Sequence, residues 1–118
     1  VDLSQNQIEF IPESFFIQNS NLRMLNLSFN NLKYFSTEFL NLKESAFGSK
    51  LQLDLTNNFL ENIEIFKSST TTNTNYFGHI FLSGNDLDKF DFQNFYIYKE
   101  ILHLDLSFNK LNGLESIL

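Results

Sequence analysis

Five asparagines, Asn6, Asn30, Asn58, Asn85 and Asn109, stand in one frame, and the residues around each share a single apolar spacing. They lie roughly 24 to 28 residues apart, inside the period of architectures in which one supersecondary unit stacks on the next. Five and three residues before them come Val1/Leu3, Leu25/Leu27, Leu53/Leu55, Ile80/Leu82 and Leu104/Leu106. Two residues after them come Ile8, Leu32, Leu60, Leu87 and Leu111; five after come Ile11, Phe35, Ile63, Phe90 and Leu114. Every one of these positions is large and apolar in a chain that is 42% hydrophobic.

Alternation at Leu25 and Leu27 is the period of a strand with one buried face. The apolar residues after the asparagine turn the chain inward again. One such unit cannot bury its own leucines, so units must stack, and their short strands pair in parallel. An asparagine side chain offers both donor and acceptor, and at the turn it can satisfy backbone groups of adjacent units. Five in register predict a ladder, and these residues are assigned no chemistry.

The segment Leu22-Arg23-Met24-Leu25-Asn26-Leu27-Ser28-Phe29-Asn30-Asn31-Leu32 resembles the leucine-rich repeat family, whose pattern L-x-x-L-x-L-x-x-N-x-L it matches. The resemblance covers nearly the whole chain and implies an α/β fold. That fold is a solenoid in a horseshoe arc, with a short-stranded parallel sheet on its concave face and mostly irregular or short helical convex arms. Lys50 departs from the pattern where repeat three should carry its first leucine, so the start of that strand is expected to be shifted or bulged. Phe16 and Phe95, ten residues past their asparagines, resemble the "typical" subclass found in extracellular proteins that include Toll-like receptor ectodomains. Leu40 and Ser68 depart from that subclass in repeats two and three. The polar stretch from Lys67 to Asn75, which contains Ser68, reads as a loop tolerated on the convex side, with a partner-binding or processing loop as the sharper alternative. Residues 1–118 are read as one leucine-rich repeat domain of about five repeats, a piece of a longer protein without its caps. Uncapped ends predict end-to-end self-association.

Composition removes several functions. A net charge of -6, with 8 basic residues against 14 acidic ones, opposes the binding of nucleic acid, whose phosphates are held by lysine and arginine. With Cys 0 there is no disulfide, thiol catalysis or cysteine-ligated zinc. No apolar run approaches the length of a membrane span. No glycine-rich phosphate loop is present, and the sequence calls for no cofactor. His103, Asp105 and Ser107 project from one face of one strand, which is no nucleophile–base–orienter relay, so no enzyme is expected.

The strand positions that point away from the leucines form the expected binding surface. One column runs Asp2, Asn26, Asp54, Phe81, Asp105, and a second Met24, Gln52, His79, His103. Others run Ser4, Ser28, Thr56, Ser83, Ser107 and Gln5, Phe29, Asn57, Gly84, Phe108. The candidate partner-binding residues are Asn26, Phe29, Asp54, His79, Phe81, His103 and Asp105. An aromatic facing solvent in a polar array suits a protein contact. For Phe29 and Phe108 the incidental reading is preferred, because residues just before the asparagine fold partly onto the turn. For Phe81 the two readings stand even. His79 and His103 should be neighbours, suited to a pH-sensitive contact; a metal site lacks its third ligand. Asn26-Leu27-Ser28 is a glycosylation sequon, a short pattern that also arises by chance.

Three functions fit. The first is a protein-binding module of a receptor ectodomain or secreted protein, placed outside the cell. The second is an intracellular scaffold or regulatory subunit. The third is the recognition arm of a larger enzyme such as a receptor kinase.

Overall fold

A computed structural model describes residues 1–12, 14–16, 18 and 19, 22–36, 51–64, 77–88 and 102–111. The alternating segments become strands. They are β1 (Met24–Asn26), β3 (Leu51–Asp54), β5 (Phe77–Phe81) and β6 (His103–Asp105), joined in one parallel sheet of order β1-β3-β5-β6. Asp2 extends it by a parallel bridge to Asn26. Leu25 pairs with Leu53, Leu53 with Ile80, and Ile80 with Leu104, so the strand leucines of successive repeats lie in one row.

That row is the core. Leu25, Leu27, Leu53, Leu55, Ile80 and Leu82 are fully buried, together with Leu32, Leu60, Leu87 and Phe35 from the segments after the asparagines. Full burial of a leucine-sized side chain is worth about 1.5–3 kcal/mol, so the middle rows carry most of the hydrophobic stabilisation. Leu3, Ile8, Leu104, Leu106 and Leu111 pack on this core but are only partly buried. Phe16 is buried and meets Phe15 edge to face at 4.9 Å, as an inward phenylalanine ten residues past Asn6 should.

The irregularity signalled by Lys50 is a change of register. Leu51 pairs with Phe77, but Gln52 pairs with His79, so β5 holds one extra residue at this point. Leu51 is buried and occupies the place across from Phe77 where Lys50 would otherwise have lain. The chain slips by one residue because a leucine gains from burial there and a lysine would lose.

After the asparagine turn the fold departs from expectation. Mostly irregular or short helical arms were expected. In the described part just after the turn, β2 (Tyr34–Ser36) and β4 (Asn62–Glu64) form a second parallel pair, joining Phe35 to Ile63, and the rest of the arms lies outside the described residues. β-Branched and aromatic residues suit a half-buried pleated strand, and both segments carry one at the centre. Among the described residues there is no helix. No helix among the described residues is long and apolar enough to cross a membrane. Leu40, Lys50, the Lys67–Asn75 stretch, Phe90, Phe95 and Leu114 lie outside the described residues.

Candidate recognition surface

Three hydrogen-bond systems run across the repeats, and they decide which outward side chains are committed to the fold. The first is the asparagine ladder. Asn58 Nδ2 donates to Leu55 O of its own repeat (3.1 Å) and to Leu27 O of the previous one (3.0 Å), while its Oδ1 accepts from Leu32 N (3.1 Å). Asn30, Asn85 and Asn109 repeat the arrangement. Among the described residues Asn6 bonds only within its own repeat, to Leu3 O and Ser4 O. No buried polar side-chain atom among the described residues lacks a partner.

The second system is a left-handed residue immediately before each asparagine. Gln5, Phe29, Asn57 and Phe108 have φ between 54° and 56°, and Gly84 has φ 71°. The N–H groups of Gln5, Phe29, Asn57 and Gly84 still bond to the next repeat, for example Phe29 N to Thr56 O (2.9 Å) and Gly84 N to Ser107 O (3.0 Å). Positive φ then swings the chain inward toward the asparagine turn, where Asn30, Asn58 and Asn85 are buried. Only glycine adopts this backbone without steric cost; a phenylalanine loses on the order of 1–2 kcal/mol. Phe29 and Phe108 were expected to fold partly onto the turn. They stand out instead, 53% and 87% exposed, because left-handed backbone directs the side chain away from the buried asparagine.

The third system was not anticipated. In four of the outward rows an Asp or Asn oxygen accepts the backbone N–H two residues on. Asp2 Oδ1 takes Ser4 N (2.9 Å), Asn26 Oδ1 takes Ser28 N (3.0 Å), Asp54 Oδ1 takes Thr56 N (3.0 Å) and Asp105 Oδ1 takes Ser107 N (3.0 Å). These Asx turns close the ends of β1, β3 and β6 and the segment after Asp2. The signal was legible as a recurring Asp/Asn-x-Ser/Thr, of which the sequon Asn26-Leu27-Ser28 is one instance. Asn26 therefore has a structural reason to be asparagine: its Oδ1 also accepts from Ser28 Oγ at 2.7 Å.

Phe81 breaks the column. It pairs in register with Asp54 on one side and Asp105 on the other, yet offers no oxygen to Ser83. The Ser83 hydroxyl is instead bonded to that of Ser107 at 2.9 Å. Phe81 is part of an aromatic cluster with the two histidines, which pair in register with each other. The Phe81 ring lies 6.1 Å from His79, nearly parallel at 5°, and 5.4 Å from His103 at 42°; the two imidazoles are 6.2 Å apart. His79 and Phe81 are half-buried and His103 is exposed. The Ser107 hydroxyl and then its backbone N–H hold the Asp105 carboxyl below its ordinary range, opposed by slight burial and aided by His103. The same two groups of Ser4 lower Asp2. Ser107 is thus bonded to Asp105 and Ser83, not to an imidazole. Among the described residues no group of three or more His, Asp and Glu is placed to hold a metal ion.

The candidate residues His79, Phe81, His103, Asp54 and Asp105 fall together over three adjacent strands, with Asn26 one strand further on. Phe29 belongs to a different column, at the turn.

Comparison with known proteins agrees with this architecture. The family model described as "Leucine rich repeat" matches residues 1–47. A Danio rerio protein named transforming growth factor beta activator LRRC33 is 34% identical over 113 residues, which are 95% of this chain and 16% of that protein. The chain therefore spans about a sixth of that relative's length. No solved structure matches the chain. With four parallel strands and the Asp2 bridge in register, rows of buried leucines and an asparagine ladder joining them, the chain belongs to the leucine-rich repeat family.

Proposed function

We propose that this chain is a protein-binding module whose contact surface is the outward face of the parallel sheet, the concave face of a horseshoe arc, centred on Phe81 between His79 and His103. The observation that carries the reading is the break in the Asx column. Four rows use an Asp or Asn to close the strand end, and the fold would be served by a fifth. Phe81 forgoes that bond and places a large apolar ring among polar neighbours, which is the composition of a binding hot spot. Asn26, Asp54 and Asp105 frame it. Phe29 and Phe108, exposed on strained backbone, extend the surface toward the turn.

The module is assigned to a receptor ectodomain or a secreted protein. The Danio rerio relative, named as an activator of transforming growth factor beta, supports a protein as the partner and a setting outside the cell. Asn26 is compatible with glycosylation, since its turn uses only Oδ1 and, among the described residues, Nδ2 makes no bond.

The test is site-directed photo-cross-linking in the parent protein on its native cells. A photoreactive phenylalanine at position 81 or 103 is expected to trap one discrete protein, identified by mass spectrometry, and the same group at Glu61 or Glu64 to trap none. Adducts from Glu61 and Glu64 with none from the sheet face would move the contact elsewhere and end this reading. Enzymatic removal of a glycan from Asn26 in native material would support the extracellular assignment. A cytosolic parent would overturn it.

A further inference from the structure

We infer that the row Asp54–Phe81–Asp105 receives a cationic side chain, an arginine in the first place, presented by the protein partner. The inference rests on the sheet-face reading above and adds the chemistry of the group recognised.

Parallel register sets Phe81 directly between Asp54 and Asp105, with strands about 4.8 Å apart. Residues paired in register leave a sheet on the same side, and all three are partly accessible. Each carboxylate spends Oδ1 on its own turn. A carboxylate has a second oxygen and several acceptor positions, so Oδ2 remains for a ligand. Among the described residues no lysine or arginine pairs with Asp54 or Asp105; the ion pair there, Lys110 with Asp86 at 3.2 Å, lies in another column. The row is thus an aromatic ring with an unpaired negative charge on either side, in a chain of net charge -6.

Charge complementarity selects the occupant. An anion would meet two carboxylates. A wholly apolar insert would cover those carboxylates and strip their water without replacing it. A guanidinium meets both demands: its plane stacks on an aromatic face, and its forked N–H groups bond carboxylate oxygens. The packing of His79 and His103 around the ring fixes it in place, and a neutral imidazole nitrogen is one more acceptor for a guanidinium N–H.

The test uses the 118-residue chain, immobilised so that self-association does not intrude. The analyte is a glycine–serine peptide bearing three arginines, against the same peptide with citrulline, which keeps the shape and lacks the charge. Arginine is expected to bind saturably and citrulline about tenfold more weakly or not at all. Asp54→Asn with Asp105→Asn should weaken the arginine peptide about fivefold or more, and Phe81→Leu about threefold. Both Asp variants keep their turns, because Asn26 closes the same turn natively. Asp86→Asn with Asp88→Asn removes the same charge away from the row and should leave binding within about twofold.

Equal binding of arginine and citrulline, or equal weakening by the two double variants, overturns the inference. The two readings fail separately. If cross-linking at position 81 traps a partner while arginine shows no preference for the row, the cation site is wrong and the binding surface stands. If arginine binds the row while cross-linking maps the partner elsewhere, the surface assignment is wrong and the cation site stands.

Discussion

β5 and β6 lie side by side in the sheet, and their sequences, His79-Ile80-Phe81-Leu82-Ser83-Gly84-Asn85 and His103-Leu104-Asp105-Leu106-Ser107-Phe108-Asn109, differ in kind at only two places. β6 has an aspartate that closes the strand end and a phenylalanine on left-handed backbone. β5 has a phenylalanine where that turn would close and a glycine where the backbone is left-handed. One row is well closed and then strained; the other is left open and then relaxed. Of what they share, the inward apolar row and the asparagine recur in every repeat and are what the fold requires. The histidine is common to these two rows alone, with Met24 and Gln52 standing at its place elsewhere. What they exchange is where an aromatic ring stands on the surface.

The shared part should dominate stability. Replacing Asn85 with Ala strands the buried Leu60 N and removes one of two side-chain donors from Leu55 O and from Leu82 O, which keep Asn58 and Asn109. A stranded buried N–H costs about 1–3 kcal/mol and each lost bond to a carbonyl that keeps a partner about 0.5–1.5 kcal/mol, so Asn85→Ala is expected to lose at least about 2 kcal/mol. Asn6→Ala, whose asparagine bonds only its own exposed repeat, should lose no more than about 1 kcal/mol. Urea unfolding of both variants measures the contrast, and equal losses would mean that the ladder between repeats contributes little.

The next largest effect is at the left-handed position. A Cβ on Gly84 would collide with Asn57 Oδ1, and φ is positive there. Gly84→Ala should therefore cost about 1–3 kcal/mol. The reciprocal change, Phe108→Gly, relieves strain in β6's row and should gain up to about 1 kcal/mol, part of the relief being offset by glycine's greater freedom in the unfolded chain. Thermal unfolding that showed Phe108→Gly to be destabilising would make that ring part of the packing and not a surface feature.

These two rows also show how far the sequence could be read. The asparagine frame located the sheet columns, the leucine core and the pairing of His79 with His103, because apolar periodicity and burial are the same constraint seen twice. It also located the irregularity near Lys50, although only the pairing of Leu51 with Phe77 shows how the strand absorbs it. The Asx turns escaped notice. An outward Asp reads as a solvated surface residue, and nothing in its side chain alone says that it bonds backbone two residues on. With that role unseen, Phe81 differed from Phe29 and Phe108 only in its column of aspartates and an asparagine, and its functional and incidental readings stood even. The left-handed backbone at Gln5, Phe29 and Phe108 escaped for the opposite reason: local propensity places glycine or asparagine there, and three repeats override it.

A smaller effect isolates the open turn itself. Removing the Phe81 ring also removes its contacts, so the comparison is between Phe81→Asn and Phe81→Ala. Asparagine restores the acceptor for Ser83 N and should be the more stable of the two by about 0.5–1.5 kcal/mol, the ordinary net worth of one hydrogen bond. In β6, Asp105→Asn should exceed Asp105→Ala by a similar margin. Together with loss of the cross-linked partner in Phe81→Asn, this outcome would show stability given up for binding at one residue. If Asn and Ala at position 81 were equally stable, the strand end of β5 would have no use for a turn, and its aromatic would need no functional explanation.

The finest test is the protonation of Asp105. The Ser107 hydroxyl and backbone N–H favour its charged form, so its folded pKa lies below the ordinary 3.8. A carboxyl depressed on folding contributes stability that is fully present above its unfolded pKa and is lost as pH falls through the folded one. The contribution of Asp105 should therefore be intact above pH 3.8 and disappear below it, and being largely solvent-screened it should be small. Carboxyl-carbon NMR across the acid range is expected to give a midpoint under 3.8 for Asp105 in the native chain. Ser107→Ala removes the larger cause and leaves the backbone one, so the midpoint should rise part of the way back. Phe81→Asp should create a second carboxyl of the same kind, lowered by Ser83 as Asp105 is by Ser107. A midpoint for that new aspartate no lower than an unstructured one would mean that β5 cannot form the turn β6 forms, and the exchange between the two rows would then be a consequence of backbone geometry and not of selection for an exposed ring.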